Sequence, residues 1–296
     1  MNYNQLYATG LFTNEGIALN YAINELLLKI SDQCSENCSG ILHLQKKESY
    51  PYRLCLRCNK CRKTYSILRG SIFTRSKLPM NVIFQIIYHW AMLTGVSKAA
   101  FEVGVEENTI TNFFCALRDA CGDWYESHSS KCIGGPGNTV EIDETMMVKR
   151  KSNAGRILPA IWVVGGICRD TEMCFAERVP DRTAETLEEV IIEHVLPGTT
   201  IHTDMWSGYT NIEECGYIHK VVNHSKNFVN PEDGTHTQKI ERFWRGLKDV
   251  RKRYQGIPES EIDSHIHEYL WRKMNNINYK NAFNKTIEML REVKFY

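Results

Sequence analysis

Apolar residues recur at helical spacing through TNEGIALNYAINELLLKIS (residues 13–31), where Ile17, Tyr21, Leu27 and Leu28 are the expected buried positions. A second amphipathic run, MNVIFQIIYHWAML, follows Pro79 and stops at Thr94-Gly95. The next segment, VSKAAFEVGVEENTITNFFCALRDAC, predicts two short helices, Ser97 to Val103 and Glu107 to Cys121, joined by a turn at Gly104. A helix, a glycine turn and a second helix make the outline of a helix-turn-helix, although any small helical bundle produces it as well.

The pattern changes after Gly134 to Asn138 (GGPGN), which reads as a linker. TVEIDETMMVK alternates as a strand, RILPAIWVVGGICR is a β-rich buried run, and TEMCFAERVP reads as a third strand. RTAETLEEVIIEHVL is a helix with Thr183 as its cap, TTIHTD and KVVNHS are short strands, and TQKIERFWRGLKDVRKRYQ is a long helix. That succession is a mixed α/β layer order, consistent with an RNase H-like mixed sheet with flanking helices.

Composition adds a metal. The 296 residues are 43% hydrophobic and 24% charged, the proportions of a chain that buries a sizeable core. No stretch approaches the roughly 18 uninterrupted apolar residues of a membrane span, and the N-terminus lacks a secretion signal pattern. The 11 cysteines are therefore expected to be reduced, inside the cell. Five of them, Cys34, Cys38, Cys55, Cys58 and Cys61, fall within 28 residues. Cys34-x3-Cys38 and Cys58-x2-Cys61 are two closely spaced thiolate pairs, the donor set of a closed, structural Zn²⁺ site in a small zinc ribbon. Cys55 is a spare that competes for one of the four places, and buried, unligated cysteines are the plain alternative.

Three carboxylates carry the candidate chemistry. Glu141 and Asp143 share one face of the first strand, with Ile142 on the other. Asp204 ends IHTD, just before the turn MWSGY, and Glu241 lies in the first turns of QKIERFWRGLK. That helix is expected to bury Ile240, Phe243, Trp244, Leu247 and Val250, which leaves Glu241 beside the apolar face. A first strand, a later strand end and a downstream helix let Asp143, Asp204 and Glu241 converge on a pair of Mg²⁺ or Mn²⁺ ions, because hard oxygen ligands suit these cations.

Net charge is only +1, yet its distribution is uneven. Between His43 and Lys77 ten Lys and Arg face the single acid Glu48, a local +9. The helix from Lys239 to Arg253 carries a further +5, leaving −13 for the remainder. Basic stripes of this kind suit a phosphate backbone. The candidate DNA contacts are Arg57, Lys60, Arg62, Lys63 and Arg69 on the ribbon, and Arg242, Arg245 and Lys248 on the helix.

VEIDET, HTDMWSGY and VNHSKNFVNPEDGTHTQKIERFWRGLK, with the ribbon ending in RCNKCRKTYSILRGSIF, resemble the Merlin-type DDE transposases and their bacterial insertion-sequence relatives. The resemblance covers nearly the whole chain, and the last motif is its most specific part. It implies Asp143, Asp204 and Glu241 as the catalytic acids, with 37 residues from the second to the third. It further implies binding of terminal inverted repeats, cleavage and strand transfer with two Mg²⁺ or Mn²⁺ per active site, and a homo-oligomer on double-stranded transposon ends and target DNA. The first cysteine pair departs from the family pattern by one spacer residue. His224 and His236 fall within the motifs as auxiliary candidates, for a scissile phosphate or a structural hydrogen bond. Glu141 is expected to take a surface or salt-bridging role, with support of the site as the alternative, and Trp206 and Tyr209 to stack on an unpaired base or pack the turn. The implied organisation is a helical segment (1–33), the zinc ribbon (34–78), a helical segment of helix-turn-helix type (79–132) and an RNase H-like catalytic domain (138–290). In a eukaryotic host the location would be the nucleus, with Lys149 to Lys151 and Arg251 to Arg253 as weak entry signals; otherwise it would be the cytoplasm. The rival readings are a domesticated DNA-binding protein and a metal-dependent nuclease with the same core.

Overall fold

The chain divides into two units, Met1–Trp124 with Ile277–Tyr296, and Tyr125–Asn276. The computed structural model describes residues 2–28, 33–35, 37–128, 132–147, 161–223, 230, 234–253 and 257–293. His224 and the run Lys149 to Lys151 lie outside the described residues.

In the first unit, α1 (Tyr3–Ala8) opens with a capping box between Asn2 and Gln5. The following helix is shorter than its apolar pattern suggests. It spans Glu15–Asn24 (α2), buries Ala18 and Ala22, and ends where Leu26 turns left-handed at φ 57°. Leu27 and Leu28 are buried from the loop beyond it, and Ile17 is 44% exposed, lying over the turn at Gly10. An antiparallel sheet follows in chain order: β1 (Gln33–Ser35), β2 (Cys38–Lys46), β3 (Leu54–Cys58) and β4 (Thr64–Ser66).

Helix α3 (Met80–Ala91) is buried on most of its circumference, through Ile83, Phe84, Ile86, Ile87 and Trp90. That is the position of a core helix, covered on several sides. Next come α4 (Val96–Val103), closed by Gly104 at φ 77°, and α5 (Glu107–His128). The expected helix, turn and helix are present, with the second helix running seven residues further than its sequence pattern indicates. The C-terminal helix Ala282–Glu292 packs back on α3, with Phe283 against Tyr88, and Arg291 pairs with Glu25.

In the second unit, the glycine-rich run is structured. The strand β5 (Ile133–Gly134) pairs in parallel with β9 (Val195–Leu196), and the N–H of Gly135 donates to Thr199 Oγ1 at 2.7 Å. Gly134 sits at φ 85°, and a Cβ there would lie 2.5 Å from that same hydroxyl. The segment GGPGN is thus a packed turn, whereas the division between units falls at Trp124–Tyr125.

The main sheet has the order β11-β10-β6-β7-β8. β6 (Thr139–Met146), β7 (Trp162–Cys168) and β8 (Cys174–Val179) form an antiparallel meander. The helix α6 (Ala184–His194), capped by Thr183, then returns the chain so that β10 (Thr200–Thr203) runs parallel to β6, with β11 (Ile218–Val221) parallel outside it. One face is covered by α6, through Leu187, Val190 and Ile191 on Val140, Ile142 and Val164. The other carries α7 (Gln238–Arg253) and α8 (Ile262–Met274), through Ile240, Phe243, Trp244, Leu247, Ile266 and Leu270. All five expected apolar positions of α7 are buried. Alternation on β6 therefore sends odd-numbered residues toward α7 and even-numbered ones toward α6.

Candidate active site and thiolate cluster

The centre of the second unit is β6, where Asp143 faces α7. The parallel pairing of β10 with β6 runs from Thr200↔Thr139 to His202↔Glu141. Two residues further along stand Asp204 and Asp143, so this register sets Asp204, just past the end of β10, beside Asp143 in the middle of β6. Burial, then the charges of Glu144 and Asp204, push the Asp143 carboxyl up to about 7. The Trp244 indole N–H donates to Asp143 Oδ2 at 3.0 Å and pulls in the opposite direction. Asp204 Oδ1 accepts from the N–H of Trp206 at 2.9 Å, which fixes the turn after β10.

Trp244 reaches Asp143 because of a glycine. Asp143 pairs across the sheet with Gly165, where a Cβ would lie 2.6 Å from the Trp244 ring. The pair Gly165-Gly166 inside a buried strand is the sequence sign of close approach, and it marks the side chain that holds Asp143. Glu241 is exposed and stands one helical turn ahead of Trp244, on the flank of α7 next to this face.

Glu141 is neither exposed nor peripheral. It is 0% exposed, paired with Arg169 Nε at 2.6 Å, and accepts from the N–H groups of Lys239 at 2.7 Å and Ile240 at 3.0 Å. The salt-bridging part of the sequence expectation is present, whereas the surface placement is not. His236 turns its Nδ1 to Glu141 at 3.4 Å, and its carbonyl accepts from Arg169 Nη2 at 2.6 Å. Burial and then Arg169 hold the His236 imidazole below its usual range. His202, buried beside Glu141 in the register, is pushed down to about 4, by burial first and Arg169 second. Sequence reasoning missed Arg169, His202, Gly165 and the role of Trp244.

On the opposite face, Tyr209 is 1% exposed and donates to Glu144 Oε2 at 2.6 Å. It packs the turn, and of the two base-stacking candidates only Trp206 keeps exposed ring surface. One face of that ring is covered by the Arg182 guanidinium, 3.8 Å from its centre. Burial, with Glu144 next, raises the Tyr209 hydroxyl well above its ordinary value. Glu144 and Asp204 therefore lie close enough to Asp143 for their charges to add to the effect of its burial. That charge, and the oxygen donors, fit a hard divalent cation.

In the first unit, Cys34, Cys38, Cys58 and Cys61 gather with all four Sγ atoms within 4.8 Å of one another. Cys34 and Cys61 are 3.4 Å apart and Cys38 and Cys58 3.8 Å. Four thiolates at ~2.3 Å from one Zn²⁺ stand about 3.8 Å apart, so the cluster has the right size. Cys55 is outside it, buried on β3 opposite Ser66. Desolvation opposes ionisation of Cys58, but the N–H groups of Cys61 and Lys60 outweigh it and lower the thiol to about 6. Gly40 closes the site, since a Cβ there would lie 2.3 Å from Cys58 Sγ. Arg57, Lys60, Arg62, Lys63 and Arg69 are exposed around the ribbon, with Arg69 over the Tyr65 ring at 4.5 Å. Arg242, Arg245 and Lys248 are exposed on α7.

At the level of class, the second unit is transposase-like: residues 134–274 match the ISXO2-like transposase domain. This agrees with the DDE transposase resemblance of the motifs at the level of a transposase domain. Among particular relatives, an uncharacterized transposase-like protein of Haemophilus influenzae is 29% identical over 98 residues, covering 33% of this chain and 78% of that protein. The male abnormal protein mab-31 of Caenorhabditis elegans is 30% identical over 115 residues, 34% of this chain but only 27% of that protein. Among solved structures, the catalytic core domain of BIV integrase aligns at 18% identity and a TM-score of 0.32, over 45% of this chain and 81% of that one. Among the described residues no helix is long and apolar enough to cross a membrane.

Proposed function

We propose that this chain is a DDE transposase, with Asp143, Asp204 and Glu241 as its metal-holding acids on an RNase H-like core. The observation that carries the reading is the juxtaposition of Asp143 and Asp204 on neighbouring parallel strands, inside the region that matches a transposase domain. A meander of three strands followed by two parallel strands on the other side of β6 supports the fold assignment.

Divalent cations held by the three acids would supply charge stabilisation to the oxygens of a phosphodiester under attack. The chain's own groups do the rest. Trp244 fixes the Asp143 carboxylate, and Arg242, Arg245 and Lys248 hold the DNA backbone from α7. Water first displaces a 3′-oxygen from phosphorus, and the freed 3′-hydroxyl then attacks a target phosphorus and displaces the target strand's 3′-oxygen as a new 3′-hydroxyl, with no covalent enzyme intermediate. The thiolate cluster holds one structural Zn²⁺ in the ribbon, whose basic surface binds the terminal repeats together with the α4–α5 segment. Two ends must be joined, which calls for a dimer or larger assembly.

The test is incubation with labelled DNA ends of the encoding element and Mg²⁺ or Mn²⁺. Nicking and strand transfer are expected, and both should vanish in Asp143→Ala, Asp204→Ala and Glu241→Ala. Cleavage that survives all three substitutions overturns the site assignment. Nicking without strand transfer would mark a nuclease, and end binding without either a domesticated DNA-binding protein.

A further inference from the structure

The N-terminus of α7 has an unusual tether. The first N–H groups of a helix lack intrahelical acceptors and need partners from elsewhere. Here the N–H of Gln238 approaches His236 Nδ1 at 3.4 Å, and that of Glu241 reaches Thr237 O at 3.1 Å. The two between them, Lys239 and Ile240, both donate to one oxygen of Glu141, a residue 98 and 99 positions earlier in the chain. The other oxygen takes Arg169, whose guanidinium also holds the carbonyl of His236 just before the helix. The Lys239 ammonium then closes the ring on the Arg169 carbonyl at 2.9 Å and on Glu172. A fully buried carboxylate is costly unless it is paired and hydrogen-bonded, and this one is both. The negative charge also sits at the positive end of the helix dipole.

The tether ends at Ile240, and Glu241 is the next residue. Glu141 and Asp143 share one face of β6, so the strand that carries the first acid also grips the helix next to the third. We infer that Glu141 is a positioning residue that sets the placement of Glu241 against Asp143, so that the two acids reach one cation. This rests on the metal-holding roles of Asp143 and Glu241 proposed above. Glu141 itself is enclosed by its own partners and would not touch the cation.

Mn²⁺ affinity of the full-length protein, read by electron paramagnetic resonance, tests this through a double-mutant cycle. Glu241→Gln should weaken Mn²⁺ binding, and Glu141→Gln, which keeps the shape but loses the charge, should weaken it about tenfold. In the double variant the Glu141→Gln effect should disappear, because the residue it positions no longer ligates. A merely structural role would weaken binding by the same factor in both backgrounds, and that result overturns the inference. So does an unchanged affinity in Glu141→Gln while Glu241→Gln is weakened. If Glu241→Gln binds Mn²⁺ like the unsubstituted protein, the ligand assignment fails and the inference falls with it. Arg169→Gln provides a second route should Glu141→Gln fold poorly. It leaves the carboxylate on the helix and removes its counter-ion, and its smaller loss should again vanish in the Glu241→Gln background. Persistence there overturns the inference.

Discussion

Trp244 donates its indole N–H to Asp143 across 3.0 Å, and it can do so only because Gly165 leaves the sheet bare beneath the ring. One hydrogen bond thus ties the middle of α7 to the proposed catalytic strand, while Glu141 ties its start.

Gly165→Ala should displace the Trp244 ring, since the added methyl falls 2.6 Å from it in a packed layer. Overpacking of this kind costs about 1–3 kcal/mol. A lower urea midpoint together with a shifted tryptophan emission is the expected result; unchanged stability would show that the ring has room to move.

Trp244→Phe keeps most of the apolar packing and removes the donor. Asp143 then loses a contact that favours its ionised form, and its carboxyl should rise beyond about 7. Mn²⁺ affinity should fall most at and below pH 7 and recover toward pH 9, a displacement of the pH profile that calorimetry can follow.

The raised Asp143 carboxyl has a sign of its own. Its folded value of about 7 lies above the ordinary 3.8, so the folded state holds that proton more tightly than the unfolded chain does. The metal-free protein should therefore lose stability as pH rises from about 4 to 7, by at most about 1.4 kcal/mol per pH unit from this group. Asp143→Asn should flatten that limb. Added Mn²⁺ should raise the melting temperature more at pH 8 than at pH 6, and equal shifts would count against a carboxylate ligand.

His202 works on the acid side. Its folded value of about 4 lies below the ordinary 6.5, so the stability linked to the neutral imidazole is present above pH 6.5 and is lost as pH falls toward 4. His202→Gln should weaken this dependence in urea titrations between pH 6.5 and 4.

For the ribbon, metal analysis should find about one Zn per chain. Cys55→Ser should leave that figure intact, whereas Cys58→Ser with Cys61→Ser, or Gly40→Ala alone, should lower it. Full zinc content in Gly40→Ala would mean that Cys58 can move aside from a contact of 2.3 Å.

The linear chain already declares much of this. Periodicity places β6, β8, α6 and α7 within about three residues of their observed bounds, while the run read for β7 begins at Arg156, outside the described residues. The spacing of Cys34, Cys38, Cys58 and Cys61 marks the gathered thiol set, and VEIDET, HTDMWSGY and the α7 motif carry the three acids proposed for the site. These are local signals, set by which side chains repeat on one face or recur at short distance.

What needed the tertiary structure is whatever depends on partners far away in sequence. Glu141 looks like any acid on a strand until Arg169 and the N–H groups of α7 enclose it. Gly134 to Asn138 has the composition of a linker, yet Thr199, more than sixty residues on, converts it into a packed turn. Tyr209 could face DNA by sequence, but its contact with Glu144 turns it inward. Cys55 lies outside the thiolate cluster, buried opposite Ser66, although Cys58 of the same strand belongs to it. The residue types and their local order thus determine the elements and the available chemistry. Burial and long-range pairing decide which of those groups remain open to a ligand, because a charge or hydroxyl takes its role from what surrounds it once water is removed.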